Sequence, residues 1–191
     1  MRPVTRDDYP IESLHRTVSG VTFFKELMKS DPEQFELLMS LTRFVTADEG
    51  EVIVHKGDKA NVLYFLLKGQ LDVTADDTSE TSLNQINPGE PFGVMAMVLN
   101  FKRSASIHVT SRQVLLAGIE FDHFSLNPSV SVFTLSTRII FFRMLNSNIR
   151  WALERNKIAN REQPLAERIR ALPNSERPSD CADETNTLVE L

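Results

Sequence analysis

The sequence has a single cysteine, Cys181, among its 191 residues. No intrachain disulfide can form, and neither a four-cysteine zinc site nor a thioredoxin-like cysteine pair can be built. No apolar run reaches the roughly 18 residues of a membrane-spanning helix. The first twenty residues are charged and lack the apolar segment of a secretory signal. These absences predict a cytoplasmic protein without a membrane partner.

Positive charge is also in short supply, since 21 lysines and arginines stand against 26 aspartates and glutamates, for a net charge of −5. Proteins that neutralise many nucleic-acid phosphates usually carry the opposite sign, so we predict no direct DNA binding. The 41% hydrophobic and 25% charged residues are typical of a folded domain. The length suits one domain with additional helices.

Enzyme motifs are missing as well. There is no Gly-x-Ser-x-Gly elbow, no P-loop and no cysteine with catalytic partners. The four histidines, His15, His55, His108 and His123, do not have metal-ligand spacing, which argues against a cupin-type metalloenzyme. We therefore predict a protein that is not an enzyme and has no metal or cofactor.

Short β-rich runs separated by glycines fill residues 42–120, within a predicted β-roll domain at residues 42–128. Five of the seven glycines lie between or just after these runs, where a turn needs positive φ. The predicted strands are 42–46, 51–55, 62–68, 70–75, 82–86, 105–110 and 114–120. Many short strands at this spacing predict a mainly β fold, an antiparallel roll, barrel or sandwich. Residues 1–41 are predicted as two short helices, the second starting at Asp31-Pro32.

A long helix is predicted over residues 129–160, preceded by a short helix at 121–127. One apolar stripe has the spacing of a coiled-coil seam and predicts a homodimer: Leu135, Ile139, Phe142, Asn146, Ile149 and Leu153. A second stripe lies on another face: Phe133, Ile140, Met144 and Trp151. Residues 161–191 carry seven acids against four arginines and are predicted to be a flexible acidic tail.

Residues 87–105 predict a small anion site. Gly93 opens a short helical turn whose first backbone N–H groups are free, and Arg103 follows in a loop. Ser104 adds a hydroxyl, and the small side chain of Ala105 leaves space. A phosphate group fits this combination.

Four motifs, in this order and spacing, resemble the cyclic nucleotide-binding domain of the catabolite activator protein and the protein kinase A regulatory subunit. They are Gly50-Glu51-x-Ile53-x-x-x-Gly57-Asp58, Leu63-Tyr64-x-x-x-x-Lys68-Gly69, Pro88-Gly89-x-x-Phe92-Gly93 and Arg103-Ser104-Ala105. The resemblance covers roughly Phe23 to Asn160. It implies an eight-stranded jelly-roll-type β-roll, a phosphate-binding cassette from Phe92 to Ala105, and a C-terminal helix that acts as a lid or dimer seam.

The resemblance also implies roles for individual residues. Arg103 would pair with the phosphate of a cyclic mononucleotide. Further ligand-binding positions implied are Gly93, Val94, Met95, Ala96, Ser104 and Ala105 in the cassette, Val73 at the base pocket, and Asn146 on the long helix. Serine after the arginine resembles cAMP-type sites more than cGMP-type sites, and a cyclic dinucleotide is a less favoured ligand.

Val94 departs from the family pattern, which has a glutamate here to accept the ribose 2′-hydroxyl. The missing charge-assisted hydrogen bond is worth about 1.5–3 kcal/mol, or roughly one to two decades of affinity. Val94→Glu is therefore expected to raise cAMP affinity. Without that carboxylate, we expect Arg103 either to meet an anion or to lie in water.

Two functions follow from these residues. The first is a stand-alone, non-catalytic sensor that binds a cAMP-like nucleotide weakly and signals through its long helix to a partner protein. The alternative is a degenerate domain that binds no mononucleotide and serves dimerisation or protein interaction, or that senses another anion such as a cyclic dinucleotide. A transcription factor of the catabolite-activator type is disfavoured, because the chain shows no DNA-reading domain.

Overall fold

Two antiparallel sheets form the centre of the computed structural model, which describes residues 1–5, 9–79, 81–94, 102–124 and 131–161. The strands are β1 (Arg2–Pro3), β2 (Arg43–Asp48), β3 (Val52–Val54), β4 (Val62–Lys68), β5 (Leu71–Thr74), β6 (Ser82–Ile86), β7 (Pro91–Phe92), β8 (Ser106–Val109) and β9 (Gln113–Glu120). The helices are α1 (Ile11–Val18), α2 (Thr22–Ser30), α3 (Pro32–Leu41) and α4 (Leu135–Arg161), with a 3₁₀ helix at Phe121–Phe124.

The two sheets face each other across an apolar interior. One has the strand order β1-β2-β9-β4-β7 and the other β3-β8-β5-β6. Side chains alternate along each strand, so Leu116 of β9 points into the roll while its neighbours Leu115 and Ala117 point to the opposite face. Phe92 and Ile107, from opposite sheets, also belong to the interior cluster. The result is a closed β-roll.

The helices cover the outer face of the five-stranded sheet. Asp31 caps α3 by accepting a hydrogen bond from the Gln34 backbone N–H at 3.1 Å, and Pro32 occupies the first turn, where its missing N–H costs nothing. A second apolar cluster joins the helices to β4 and β9. Its largest fully buried side chains are Phe23, Phe24, Phe35, Phe65, Phe124 and Phe141.

The mainly β fold with flanking helices is confirmed, with three differences in detail. Three short helices rather than two precede the roll. Two short strands were not predicted: β1, which pairs with β2 through Arg2 and Thr46, and β7, which pairs with β4. Helix α4 starts at Leu135 rather than at residue 129, and residues 131–134 precede it as non-helical chain. The predicted tail, from residue 162 on, lies outside the described residues.

Met1–Ile149 forms one compact unit, and Arg150 begins a second. Within the first unit, α4 buries Phe141 and Leu145 against the helical cluster. Its predicted seam is exposed only in part: Leu135 is 65% and Ile139 50% exposed, and Asn146 is exposed too. Phe142 and Ile149 are half-buried, and Leu153 is exposed. Of the second stripe, Phe133 is buried, Ile140 and Met144 are partly buried, and Trp151 is exposed.

Candidate functional site

Gly93 and Arg103, ten residues apart in sequence, meet at the edge of the five-stranded sheet. The Arg103 guanidinium donates from Nη1 to the Gly93 carbonyl at 2.8 Å and from Nη2 to the Val62 carbonyl at 2.7 Å. Arg103 is only 6% exposed. Gly93 has φ +81°, and a Cβ built on it would lie 2.1 Å from Arg103 Nη1. Glycine is therefore required here both for its backbone conformation and for space.

This arrangement differs from both alternatives that the sequence left open for Arg103. The guanidinium does not lie in water, and its described partners are two backbone carbonyls rather than an anion. Among the described residues, no carboxylate forms an ion pair with it. Carbonyl oxygens satisfy two of its five donors, which offsets part of the cost of burying the charge.

The backbone of Arg103 is fastened to the turn that follows β3. Its N–H donates to the Asp58 carbonyl at 2.8 Å, and its carbonyl accepts from the Gly57 N–H at 2.8 Å. The turn is itself closed by the Asp58 N–H donating to the His55 carbonyl at 3.2 Å. Two reciprocal backbone hydrogen bonds thus fix the point from which the guanidinium reaches Gly93.

Aromatic and charged neighbours set the electrostatics around the guanidinium. Tyr64 stacks on Phe92 with ring centroids 5.4 Å apart. Burial raises the pKa of Tyr64, and the positive charge of Arg103 acts in the opposite direction. Burial lowers the pKa of Arg103, while Tyr64 and Asp58 act to raise it. Arginine remains charged throughout the physiological range, so the site holds a fixed positive charge.

The Val94 side chain does not belong to the same surroundings as the guanidinium. It is 3% exposed and packs in the helical cluster with residues such as Phe65 and Leu115. Position 94 therefore serves the contact between the sheet and the helices. A glutamate at this position would meet an apolar environment, and the sequence-based expectation for Val94→Glu does not include that cost.

The other predicted site residues are spread over several environments. Ser104 is exposed, and Ala105 is half-buried beside it. Val73 is half-buried and packs against the interior cluster of the roll. Asn146 is exposed on α4, and no described hydrogen bond joins it to Gly93 or Arg103. Met95 and Ala96 lie outside the described residues.

Sequence reasoning missed the partners of Arg103. Its partners are the backbone carbonyls of Val62, Gly93 and Asp58. Every residue type has a backbone carbonyl, so the sequence gives no signal for these contacts. The Gly57-Asp58 pair was part of the motif, and its place directly against the Arg103 backbone gives that motif a structural reason.

Comparison with known proteins shows which family this roll resembles. Residues 44–125 match the model of the cyclic nucleotide-binding domain. This range contains β2 except for its first residue, β3 through β9, the 3₁₀ helix and the Gly93 and Arg103 pair. The sequence-based assignment to the cyclic nucleotide-binding domain family is thus supported over residues 44–125, which make up less than half of the chain.

Individual relatives agree with this assignment. The type II regulatory subunit of cAMP-dependent protein kinase from Drosophila melanogaster is 30% identical over 119 residues, covering 57% of this chain and 32% of the relative. The regulatory subunit from Yarrowia lipolytica is 29% identical over 105 residues, covering 55% of this chain and 26% of the relative. The chain thus spans about a third or less of the length of these relatives.

Solved structures show the same fold. A protein of Geobacter metallireducens described as a cyclic nucleotide-binding protein aligns with a TM-score of 0.57 and 19% identity, covering 75% of this chain and 98% of that one. The regulatory subunit of a cAMP-independent protein kinase A from Trypanosoma brucei aligns with a TM-score of 0.55 and 19% identity, covering 76% and 49%. No described helix is long and apolar enough to cross a membrane.

Proposed function

We propose that this chain is a non-catalytic regulatory domain that binds a cyclic mononucleotide of the cAMP type through Arg103. The observation that carries the proposal is the buried guanidinium of Arg103, which donates to the Gly93 carbonyl. The backbone N–H and carbonyl of Arg103 are both hydrogen-bonded to the turn after β3. No carboxylate among the described residues forms an ion pair with the guanidinium. A buried cation of this kind suits an anionic ligand. Relatives that are regulatory subunits of cAMP-dependent kinases support the same ligand class.

The phosphate would be held by donors that Arg103 still has to offer. Its guanidinium has five N–H donors, and the described residues accept from two of them. The two exocyclic oxygens of a cyclic phosphate can accept from the remaining donors in the planar, bidentate manner typical of arginine. Gly93, the Ser104 hydroxyl and the backbone N–H groups of Met95 and Ala96 would complete the cradle. Ala105 would leave space, and Val73 would line the base pocket from inside the roll.

The affinity is expected to be modest. Val94 supplies no acceptor for the ribose 2′-hydroxyl, and its side chain packs in the helical cluster. The affinity for the nucleotide is expected to be about one to two decades lower than that of a site in which a carboxylate accepts the 2′-hydroxyl. The ligand would bias the position of α4 and of Asn146 by its differential affinity for two arrangements of the chain.

Helix α4 would report this change to a second copy of the chain or to a partner protein. Leu135 and Ile139 on its seam are exposed, and apolar side chains at this spacing favour a helical partner. The lone cysteine supports a reducing compartment, so we propose a cytoplasmic homodimeric sensor.

A thermal melting experiment tests the ligand. The melting temperature of the protein is measured with saturating cAMP, cGMP or a cyclic dinucleotide. We expect an increase with cAMP that Arg103→Lys strongly reduces, because lysine is a point charge without the planar fork. Arg112→Lys, at an exposed arginine, is the matched control and should keep the increase. No increase with any of the three would remove the proposal.

A second candidate function is a domain that binds no mononucleotide and acts in assembly. The observation in its favour is that Arg103 already has two backbone acceptors while Val94 is buried in apolar surroundings. This candidate predicts a dimer in solution together with unchanged melting temperatures in all three nucleotides. A response to the cyclic dinucleotide alone would instead identify a sensor of a larger anion.

A further inference from the structure

A ring of hydrogen bonds near Arg103 joins three side chains and one backbone N–H from three separate segments of the chain. Ser106, at the start of β8, donates its hydroxyl to Asp77 Oδ1 at 2.5 Å and accepts the Lys56 backbone N–H at 3.0 Å. Asp77 Oδ2 lies 2.7 Å from His55 Nδ1. Because His55 and Lys56 are adjacent in the chain, these contacts close a ring. Ser106 is fully buried, while His55 and Asp77 are exposed.

Asp77 is the member that ties the ring together. It comes from the hairpin between β5 and β6, whereas His55 and Lys56 follow β3 and Ser106 begins β8. Among the described residues, no group of three or more His, Cys, Asp or Glu side chains is arranged to hold a metal ion. The contacts of Asp77 are instead to one hydroxyl and one imidazole, which is the geometry of a structural link.

The ring is continuous with the backbone of Arg103. The turn at residues 55–58 is the same one whose Gly57 N–H and Asp58 carbonyl bond to Arg103. Ser106 lies three residues after Arg103. The segment 103–106 is therefore attached twice, through the Arg103 backbone and through the Ser106 hydroxyl. Displacement of the turn would therefore move the origin of the Arg103 side chain, and a shift of about 1 Å at a positioning group has large effects on site chemistry.

We propose that Asp77 is a positioning residue for Arg103, acting through Ser106 and the turn at residues 55–58. The inference rests on the proposed function for its effect on ligand affinity, but the positioning itself is a property of the chain without ligand. Neither Asp77 nor His55 touches the guanidinium.

The charges around the ring make the link dependent on pH. The hydrogen bond to Asp77 raises the pKa of His55, and Asp58 contributes in the same direction. The hydrogen bonds from Ser106 and then His55 lower the pKa of Asp77, with a smaller contribution from His108. Lys56 and Asp76 carry the other nearby charges. The charged pair is therefore intact below the raised pKa of His55, and the charge of His55 is lost as pH rises through it. The contribution of Asp77 is lost as pH falls through its lowered pKa.

Hydrogen exchange measures the positioning directly. The exchange rates of the Arg103 and Gly57 amides are compared in the wild type, Asp77→Ala and Asp76→Ala. We expect both amides to exchange about tenfold faster in Asp77→Ala. This factor corresponds to the loss of about one hydrogen bond from the local stability of the segment. Asp76→Ala is the matched control, because Asp76 caps its own turn through Thr78 rather than joining the ring. The Leu116 amide, in the sheet, should be unchanged in both variants.

Affinity provides the second measurement. The dissociation constant for cAMP is expected to rise about two- to fivefold between pH 5.5 and 8.5 in the wild type, since an exposed ion pair contributes at most about 1 kcal/mol, and His55→Gln is expected to remove this pH step. Unchanged Arg103 exchange in Asp77→Ala overturns the positioning role, whatever the ligand result. If wild type binds no cyclic nucleotide but Asp77→Ala still accelerates Arg103 exchange, the proposed function fails and the positioning role stands.

Discussion

The substitution Val94→Glu tests whether the side chain at position 94 faces the ligand or packs among the helices. The family resemblance places a carboxylate at this position against the ligand, whereas the Val94 side chain is 3% exposed among apolar residues. Removing a fully buried valine side chain costs about 1.5–3 kcal/mol, and a carboxylate left in such surroundings costs several kcal/mol more unless it binds a proton. We expect the substitution to lower the free energy of unfolding by about 3 kcal/mol or more at pH 8.

The pH dependence identifies the cause. Burial raises the folded-state pKa of a carboxyl group above its ordinary value of about 4.3. The folded variant then holds the proton more tightly than the unfolded chain, so its stability falls as pH rises from about 4.3 through that raised pKa. Urea unfolding at pH 5 and pH 8 should show the difference for Val94→Glu and not for the uncharged Val94→Gln.

Binding completes the test of Val94. We expect no gain in cAMP affinity for Val94→Glu, since the carboxylate must leave the helical cluster before it can reach a sugar. A variant as stable as the wild type at pH 8 that also binds cAMP more tightly would refute this reasoning. It would show that side chain 94 turns into the cassette, as the sequence resemblance implies.

Two other substitutions test the site and the seam. Gly93→Ala places a Cβ 2.1 Å from Arg103 Nη1 at φ +81°, so we expect it to displace the guanidinium, abolish the cAMP-dependent melting increase and cost about 1–3 kcal/mol from backbone strain alone. Gly50→Ala has a similar φ of +82° with no atom within 4 Å. In this control the strain should appear in urea unfolding without loss of the cAMP response. Ile139→Glu, at a half-exposed seam position, should convert a dimer to a folded monomer by sedimentation; a monomeric wild type would contradict the seam.

The β-roll was predictable because its strands are bounded by glycines. Gly69 shows why: its φ is +91°, and a Cβ there would lie 2.6 Å from the Gln113 carbonyl, so the residue type itself marks the turn. Asp31-Pro32 marked the start of α3 in the same way. Strand β1, of two residues, is too short to show a period of two, and it forms because β2 offers it an edge.

The site was predictable only in part. The sequence pointed to Gly93 and Arg103 because glycine is the residue type that adopts positive φ and arginine is the residue type that pairs with phosphate. The direction of the Val94 side chain was not, since it depends on the helices packed outside the sheet. The ring of hydrogen bonds near Arg103 joins residues that are 22 to 50 positions apart in the chain. No local sequence pattern therefore connects His55, Asp77 and Ser106.

Calorimetric titration of the wild-type chain with cAMP, alongside Arg103→Gln, addresses the central claim most directly. If the buried positive charge of Arg103 binds the ligand, the wild type should give saturable heat with cAMP. Arg103→Gln should bind cAMP at least about tenfold more weakly, because it loses one charge-assisted hydrogen bond. Equal affinities for the two proteins, or no heat for either, would contradict the account.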